Sequence, residues 1–213
     1  MSFLNENTRA RLTDYLKDLR EDVQVVLFTQ EYECDACRET HQFLTELCEL
    51  SDQIFLTVYD FVNNKAMAQS LQIAQIPAIA LLDHHQQDTR IRFYGPPGGY
   101  EINSFLHSLK AVAGMPEVIP LHTAERIKKI NRSVHIQVFV TPLCPYCPAA
   151  VINAHRLALE NPNIRADMVD ASVFPHLANK YRVTGVPKMI INETHELMGS
   201  QPLKAILDII EKL

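Results

Sequence analysis

Four of the five cysteines form two pairs of identical spacing, and such pairs can exchange electrons with disulfides. Cys34 and Cys37 lie in EYECDAC, whereas Cys144 and Cys147 lie in VFVTPLCPYCP. A thiolate at the first cysteine can attack a disulfide, and a second thiol one turn away can then resolve the mixed disulfide. Each pair stands between a short apolar run and a segment with helical periodicity. Both pairs are therefore expected at a helix N-terminus, where unpaired N–H groups favour a thiolate.

The two cysteine pairs belong to two copies of one sequence unit. Pro77 follows Cys34 by 43 residues, and Pro187 follows Cys144 by the same 43 residues. An aspartate and an alanine are matched between the halves at the same offset of 110 residues. The sequence therefore predicts a tandem repeat.

The two copies, residues 1–116 and 117–213, show the same order of periodicities, and glycine and prolines in AGMPEVIP mark the junction. An opening helix leads to a strand, the cysteine pair, a helix, a second strand, a short helix and the matched proline. A hairpin of two strands and a closing helix complete each copy. A CxxC beside such a βαβ pattern is typical of a thioredoxin-like redox motif. We predict an α/β protein of two tandem thioredoxin-fold units, each a mixed four-stranded sheet flanked by helices.

The matched prolines stand immediately before the predicted hairpins. Proline has no N–H to donate to a strand ladder, and a cis X–Pro bond usually marks a tight turn. The repeated spacing predicts that the Ile76–Pro77 and Val186–Pro187 bonds are cis, each lying against its CxxC loop.

Composition excludes several classes of function. Hydrophobic residues make up 47% of the 213 residues, but no apolar run approaches the roughly 20 residues that cross a membrane. The polar N-terminal segment argues against a secretory signal, so the cytoplasm is the expected location, where disulfides are usually transient and catalytic. The first half has nine Lys/Arg and sixteen Asp/Glu, and the second half has eleven Lys/Arg and nine Asp/Glu. Neither half has the basic stripe of a nucleic-acid binder.

The motifs resemble those of a known family. CPYC is the motif of glutaredoxins, and VFVTPLCPYCPAAV, RFYGPPGGYEI and VTGVPKMII together resemble the protein disulfide oxidoreductase family, over almost the whole chain. That family joins two thioredoxin-fold units, each with a CxxC. The chain is also similar to the N-terminal domain of the flavoprotein subunit of alkyl hydroperoxide reductase, in which only the second unit keeps a cysteine pair.

The resemblance implies a cytosolic enzyme that reduces, forms or isomerises protein disulfides. It implies no metal and no cofactor beyond the redox-active disulfides, with protein disulfides as substrates and a thioredoxin-reductase-like flavoprotein as electron donor. Neither nucleic acid nor membrane is an expected partner. The implied nucleophiles are Cys144 and Cys34, and the implied resolving cysteines are Cys147 and Cys37. The implied substrate groove comprises Pro187, Val186, Pro77, Ile76, Pro145 and Tyr146.

Other interpretations stay open at this point. The four cysteines could bind zinc, CPYC could hold an iron–sulfur cluster, and CDAC could be a degenerate pair. The chain could instead be an electron relay that reduces a peroxiredoxin, or a client-binding module without catalysis. Thioredoxins carry a buried aspartate six residues before the first cysteine, but Phe28 and Val138 occupy those positions here. The sequence therefore does not identify a proton acceptor.

The two sites differ in charge. No charged residue lies between Val138 and Ala154, so the second site has no nearby acid in sequence. The first site, in contrast, has several carboxylates close in sequence, and their negative charge disfavours a thiolate at Cys34. We therefore predict that Cys144 has a lower pKa than Cys34, and that the second disulfide is the more oxidising. Electrons would then pass from the first pair to the second. The first site is flanked by Glu31, Glu33, Asp35 and Glu39, with Arg38 as the only nearby cation.

Overall fold

The structure is a computed structural model that describes residues 3–213, so the first two residues of the predicted first unit lie outside the described residues. The first repeat comprises α1 (Glu6–Leu16), β1 (Val23–Thr29), α2 (Asp35–Cys48), β2 (Ile54–Asp60), α3 (Lys65–Ser70), β3 (Ala78–Leu82), β4 (Asp88–Tyr94), a 3₁₀ helix (Gly99–Glu101) and α4 (Ile102–Val112). The second repeat comprises α5 (Leu121–Lys128), β5 (Val134–Val140), α6 (Cys147–Glu160), β6 (Ile164–Asp170), α7 (Pro175–Lys180), β7 (Lys188–Ile191), β8 (His195–Met198) and α8 (Leu203–Ile210).

The strands of the two repeats pair in the same way. β1 is parallel to β2 and antiparallel to β3, and β5 is parallel to β6 and antiparallel to β7. The strand order is β2-β1-β3-β4 in the first repeat and β6-β5-β7-β8 in the second. The predicted α/β class, with a parallel βαβ unit followed by an antiparallel hairpin in each repeat, is confirmed.

Packing divides the chain into two compact units. One unit holds the residues through Thr89 together with Tyr94–Pro96 and Leu109–Pro116. The other holds Arg90–Phe93, Pro97–Ser108 and Glu117–Leu213. Residues 97–108 therefore pack within the second compact unit, although they belong to the first sequence repeat. The domain boundary between residues 116 and 117 stays a prediction.

The central strands of each unit are buried, with α2 packed on β1 and β2, and α6 packed on β5 and β6. All seven residues of β5 except His135 are buried, and so are Val25 to Phe28 of β1. The helix after the first cysteine pair buries Phe43, Leu44 and Leu47, as its periodicity predicts. Cys48 of the same helix is a buried free cysteine.

A buried carboxylate ties β5 to β6 in the second unit. Asp167 is fully buried and accepts hydrogen bonds from His135 Nε2 at 2.6 Å and from Arg165 Nη2 at 2.7 Å. Burial alone would raise the pKa of the Asp167 carboxyl, but the bonds from both partners outweigh burial and hold that pKa below its usual value. The carboxylate is thus a charged element of the core.

Candidate functional site

The second cysteine pair lies where the loop after β5 enters α6, with Cys144 in the loop and Cys147 as the first residue of α6. The Cys144 N–H donates to Thr141 O at 3.1 Å, and the Cys147 N–H donates to Cys144 O at 3.4 Å, which makes the pair one tight turn. The two residues form a disulfide with a Cα–Cα distance of 5.5 Å. Cys144 is 8% exposed and Cys147 is fully buried. A partner molecule can therefore reach only the first sulfur of this pair.

The proline turn of the same unit lies beside that sulfur. Cys144 Sγ lies 3.8 Å from Val186 O, and the Val186–Pro187 bond is cis. Pro187 O accepts a hydrogen bond from the Gly199 N–H at 2.8 Å, which fixes the turn to the residue after β8. The structure thus brings the predicted groove residues Val186 and Pro187 next to the predicted nucleophile.

The surface around Cys144 is apolar. Leu143 is 85% exposed and Tyr146 is 71% exposed, while Pro145 between the cysteines is also exposed. Exposed apolar side chains that are adjacent to one another are typical of interaction sites. A segment of a partner that places a sulfur atom at Cys144 would contact these side chains.

The first cysteine pair has the same turn but a different surface. Cys34 is the N-cap of α2, and the Cys37 N–H donates to Cys34 O at 3.2 Å. The pair forms a disulfide with a Cα–Cα distance of 5.4 Å, and Cys37 is 1% exposed. The Ile76–Pro77 bond is cis, and Pro77 immediately precedes β3. The carboxylates that flank this pair in the sequence, Glu31, Glu33, Asp35 and Glu39, are all exposed.

The helices begin at different points in the two sites. α2 begins directly after Cys34, whereas α6 begins only at Cys147, three residues after Cys144. Pro148 explains the later start, because it has no N–H to donate to Cys144 O four residues before it. The sequence prediction treated the two helix starts as equivalent.

Sequence reasoning did not identify Glu101, a buried carboxyl group of the second unit. Glu101 is 2% exposed, and its Oε1 is buried without a hydrogen-bond partner among residues 3–213. The pKa of Glu101 is raised to about 7, mainly by burial. The hydrogen bond from the Ser104 hydroxyl lowers this pKa, and the charge of Asp170 raises it. Its neighbour Tyr100 donates its N–H to Pro142 O at 2.9 Å, so the glutamate lies one residue from a contact with the CPYC loop.

A carboxyl group with a pKa of about 7 can exchange protons at neutral pH. In the sequence Glu101 stands at the start of a predicted helix, where an acidic residue is ordinarily an exposed partner of the helix dipole. Its burial depends on contacts with residues more than 40 positions away. A motif search offers no signal for it beyond its place in RFYGPPGGYEI.

Within residues 3–213, no group of three or more His, Cys, Asp or Glu side chains is arranged to hold a metal ion. All four CxxC cysteines are instead joined in pairs as disulfides. Over the same residues, no helix is both long enough and apolar enough to span a bilayer.

These features define the class of the protein. Each repeat is a thioredoxin-fold unit with a CxxC disulfide at the loop before its first crossover helix. The chain therefore has the fold of thioredoxin-like disulfide oxidoreductases, with two cysteine pairs. Residues 134–212 match the family described as "Thioredoxin domain".

The chain resembles solved structures over nearly its whole length. The alkyl hydroperoxide reductase component AhpF of Enterococcus faecalis is 28% identical, with a TM-score of 0.91 over 98% of this chain and 99% of that chain. A protein disulfide oxidoreductase from Aeropyrum pernix is 27% identical, with a TM-score of 0.90 over 97% of this chain and 92% of that chain.

The curated relatives are longer proteins. A protein from Bacillus subtilis named NADH dehydrogenase is 24% identical over 204 residues, which are 96% of this chain and 37% of that protein. The corresponding alkyl hydroperoxide reductase component of Staphylococcus aureus is 25% identical over 210 residues, which are 99% of this chain and 38% of that protein. The chain thus spans little more than a third of the length of these relatives.

Proposed function

We propose that the chain is a dithiol–disulfide oxidoreductase that acts on protein disulfides through both CxxC pairs. The observation that carries the proposal is the geometry of the second site. Cys144 is the more accessible member of a one-turn disulfide and lies beside the carbonyl of Val186, next to exposed apolar side chains. A redox-active sulfur beside exposed apolar side chains suits a protein substrate.

The proposed exchange has two steps. In the first, the Cys144 thiolate of the reduced protein attacks one sulfur of a partner disulfide; the partner S–S bond breaks, a mixed disulfide forms, and the other partner sulfur leaves as a thiolate. In the second, Cys147 loses its proton and attacks Cys144 Sγ. The internal disulfide forms, the mixed disulfide breaks, the partner's remaining sulfur leaves as a thiolate, and two electrons have passed to the partner.

We assign Glu101 as the proton acceptor for Cys147. The second step needs a base near a fully buried thiol. Glu101 is a buried carboxyl on a 3₁₀ helix that packs against α6, which begins at Cys147, and one of its oxygens accepts no hydrogen bond from residues 3–213. Its pKa of about 7 suits proton exchange near neutral pH. The first unit would carry out the same exchange with Cys34 as nucleophile and Cys37 as resolving cysteine.

The remaining groove residues have proposed roles in substrate binding. Val186 and Pro187 would bind the backbone of the segment that contains the partner's disulfide, and Ile76 and Pro77 would do so at the first site. Pro145 and Tyr146 would contact its side chains. We propose a thioredoxin-reductase-like flavoprotein as electron donor and the reducing cytoplasm as the location, since a catalytic CxxC must be re-reduced after each cycle.

A second candidate function is an electron relay to a peroxiredoxin. Relatives that are 24–25% identical are components of alkyl hydroperoxide reductase, a name that associates them with peroxide reduction. The chain covers only 37–38% of those relatives, so their whole activity is a proposal for this chain.

Insulin reduction with dithiothreitol as electron source tests the proposal. The wild-type chain should reduce many equivalents of insulin, the variant with Cys144 and Cys147 both replaced by serine should lose most of the rate, and a variant lacking all four cysteines should match dithiothreitol alone. A relay would reduce a peroxiredoxin far faster than insulin. A client-binding module would show no multiple turnover, and that result would overturn the proposal.

A further inference from the structure

A short 3₁₀ helix, Gly99–Glu101, lies against the CPYC loop. The Tyr100 N–H donates to Pro142 O at 2.9 Å, and Pro142 stands two residues before Cys144. Both segments belong to the second compact unit. The loop that carries the nucleophile is therefore held from outside by a backbone hydrogen bond.

The 3₁₀ helix has no counterpart in the corresponding segment of the second repeat. In both repeats a glycine follows the hairpin and donates its N–H to the carbonyl of the cis proline, from Gly95 to Pro77 at 3.0 Å and from Gly199 to Pro187 at 2.8 Å. Three residues separate Gly199 from α8, but six residues separate Gly95 from α4. The three additional residues correspond in length to the 3₁₀ helix.

Gly99 fits against the loop only because it has no side chain. A Cβ atom at this position would lie 2.2 Å from Pro142 O and 2.8 Å from Pro142 C, and both of these are backbone atoms that cannot rotate away. Gly99 also has a φ of +57°, in the left-handed region that favours glycine. In contrast, a Cβ at the neighbouring Gly98 would meet nothing within 4 Å.

We propose that Gly99 is a positioning residue for the second redox site. The added 3₁₀ helix holds the Pro142 backbone, and through it the CPYC turn, in the conformation that sets the equilibrium between the Cys144–Cys147 disulfide and its dithiol. The first disulfide is not influenced by this helix. The inference rests on the proposed function only in requiring that the second disulfide is redox-active.

The matched variants Gly99→Ala and Gly98→Ala test the inference. Each disulfide is equilibrated with dithiothreitol or glutathione mixtures and quantified separately by differential alkylation and mass spectrometry. In Gly99→Ala the displaced loop should shift the second pair toward the dithiol by at least about fivefold, because the closed disulfide tolerates fewer loop conformations than the dithiol. Gly98→Ala should shift it by less than about twofold, and the first pair should stay within about twofold in both variants.

If circular dichroism shows that Gly99→Ala does not fold, a second pair of variants tests the inference. Tyr100→Pro removes the N–H that donates to Pro142 O, whereas Tyr100→Ala removes the side chain and keeps the N–H. Tyr100→Pro should shift the second pair toward the dithiol, and Tyr100→Ala should not.

Equal equilibria in Gly99→Ala and Gly98→Ala, or in the Tyr100 pair where Gly99→Ala is unfolded, would overturn the inference. So would a shift of the first disulfide as large as that of the second. Failure of the proposed function looks different, since the wild-type second disulfide would then show neither a reversible equilibrium with dithiothreitol nor turnover of insulin.

Discussion

Replacing Glu101 with glutamine should stabilise the protein above neutral pH while slowing its chemistry. Glutamine has nearly the same shape and can still bond to the Ser104 hydroxyl, but it cannot ionise. The wild-type carboxyl is 2% exposed, and burial, with the charge of Asp170, raises its pKa to about 7. The substitution therefore removes the cost of a buried negative charge together with the proposed base.

The size of the stability effect follows from the pKa difference between the unfolded and folded chain. The folded pKa of about 7 lies above the ordinary value of 4.5, so the folded protein binds the proton more tightly than the unfolded chain does. Stability from this group is present below pH 4.5 and is lost as the pH rises to 7. Because each pH unit of pKa difference corresponds to about 1.4 kcal/mol, the loss is about 3 kcal/mol.

Urea unfolding followed by far-ultraviolet circular dichroism at pH 4.5, 6 and 8 measures the effect. The free energy of unfolding of Glu101→Gln should match that of the wild type at pH 4.5 and exceed it by up to about 3 kcal/mol at pH 8. The control is Glu125→Gln on α5, whose side chain is exposed. A Glu101→Gln variant that is less stable than the wild type at pH 8 would refute the reasoning.

The kinetic arm uses the same variant. Reduced Glu101→Gln should form mixed disulfides with a protein substrate at the wild-type rate, because the first step uses Cys144. It should release the product at least about tenfold more slowly near pH 7, since loss of a general base typically costs this much or more. Wild-type release rates in Glu101→Gln would remove Glu101 from the mechanism.

The remaining predictions concern the buried ion cluster and the cysteines. Asp167→Asn should destabilise the fold by about 3 kcal/mol at pH 7, because it leaves the partly buried Arg165 guanidinium without its counter-charge. Since its hydrogen-bond partners hold the pKa of this carboxyl below its usual value, the difference from wild type should shrink as the pH falls below about 4. A pH-independent difference in urea unfolding would contradict the argument. Cys147→Ser should accumulate mixed disulfides with client proteins on non-reducing gels, and equal trapping by Cys144→Ser would reverse the assigned roles. In single-site variants, the iodoacetamide rate against pH should give Cys144 a lower pKa than Cys34, and the opposite order would refute the electrostatic argument.

Much of the fold could be predicted because the same sequence unit occurs twice in the chain. The spacing from Cys34 to Pro77 recurs from Cys144 to Pro187, and a chance match in one half has no reason to recur in the other. Local periodicity located the strands and helices to within a few residues. The exposure pattern of each cysteine pair also follows from the position of its second member inside the first helical turn.

The features that sequence reasoning missed depend on contacts distant in the chain. Glu101 stands at the start of a helix, where glutamate is common, and its burial arises from packing in the second unit. Gly99 carries no sequence signal beyond its type, yet its fit depends on the backbone of Pro142, 43 residues later. The late start of α6 could have been read from Pro148, because a missing N–H can be seen in the sequence.

Counting electrons in a single turnover tests the central claim most directly. The fully reduced protein, freed of dithiothreitol, is mixed with excess insulin, and the insulin thiols that appear are alkylated and counted. If both CxxC pairs are redox sites, the wild type should deliver about four electrons per chain, and each variant with one pair replaced by serine should deliver about two. Two electrons from the wild type, with none from the variant that retains only Cys34 and Cys37, would show that the first pair is inactive. No transfer from any form would contradict the assignment of this chain as a dithiol–disulfide oxidoreductase.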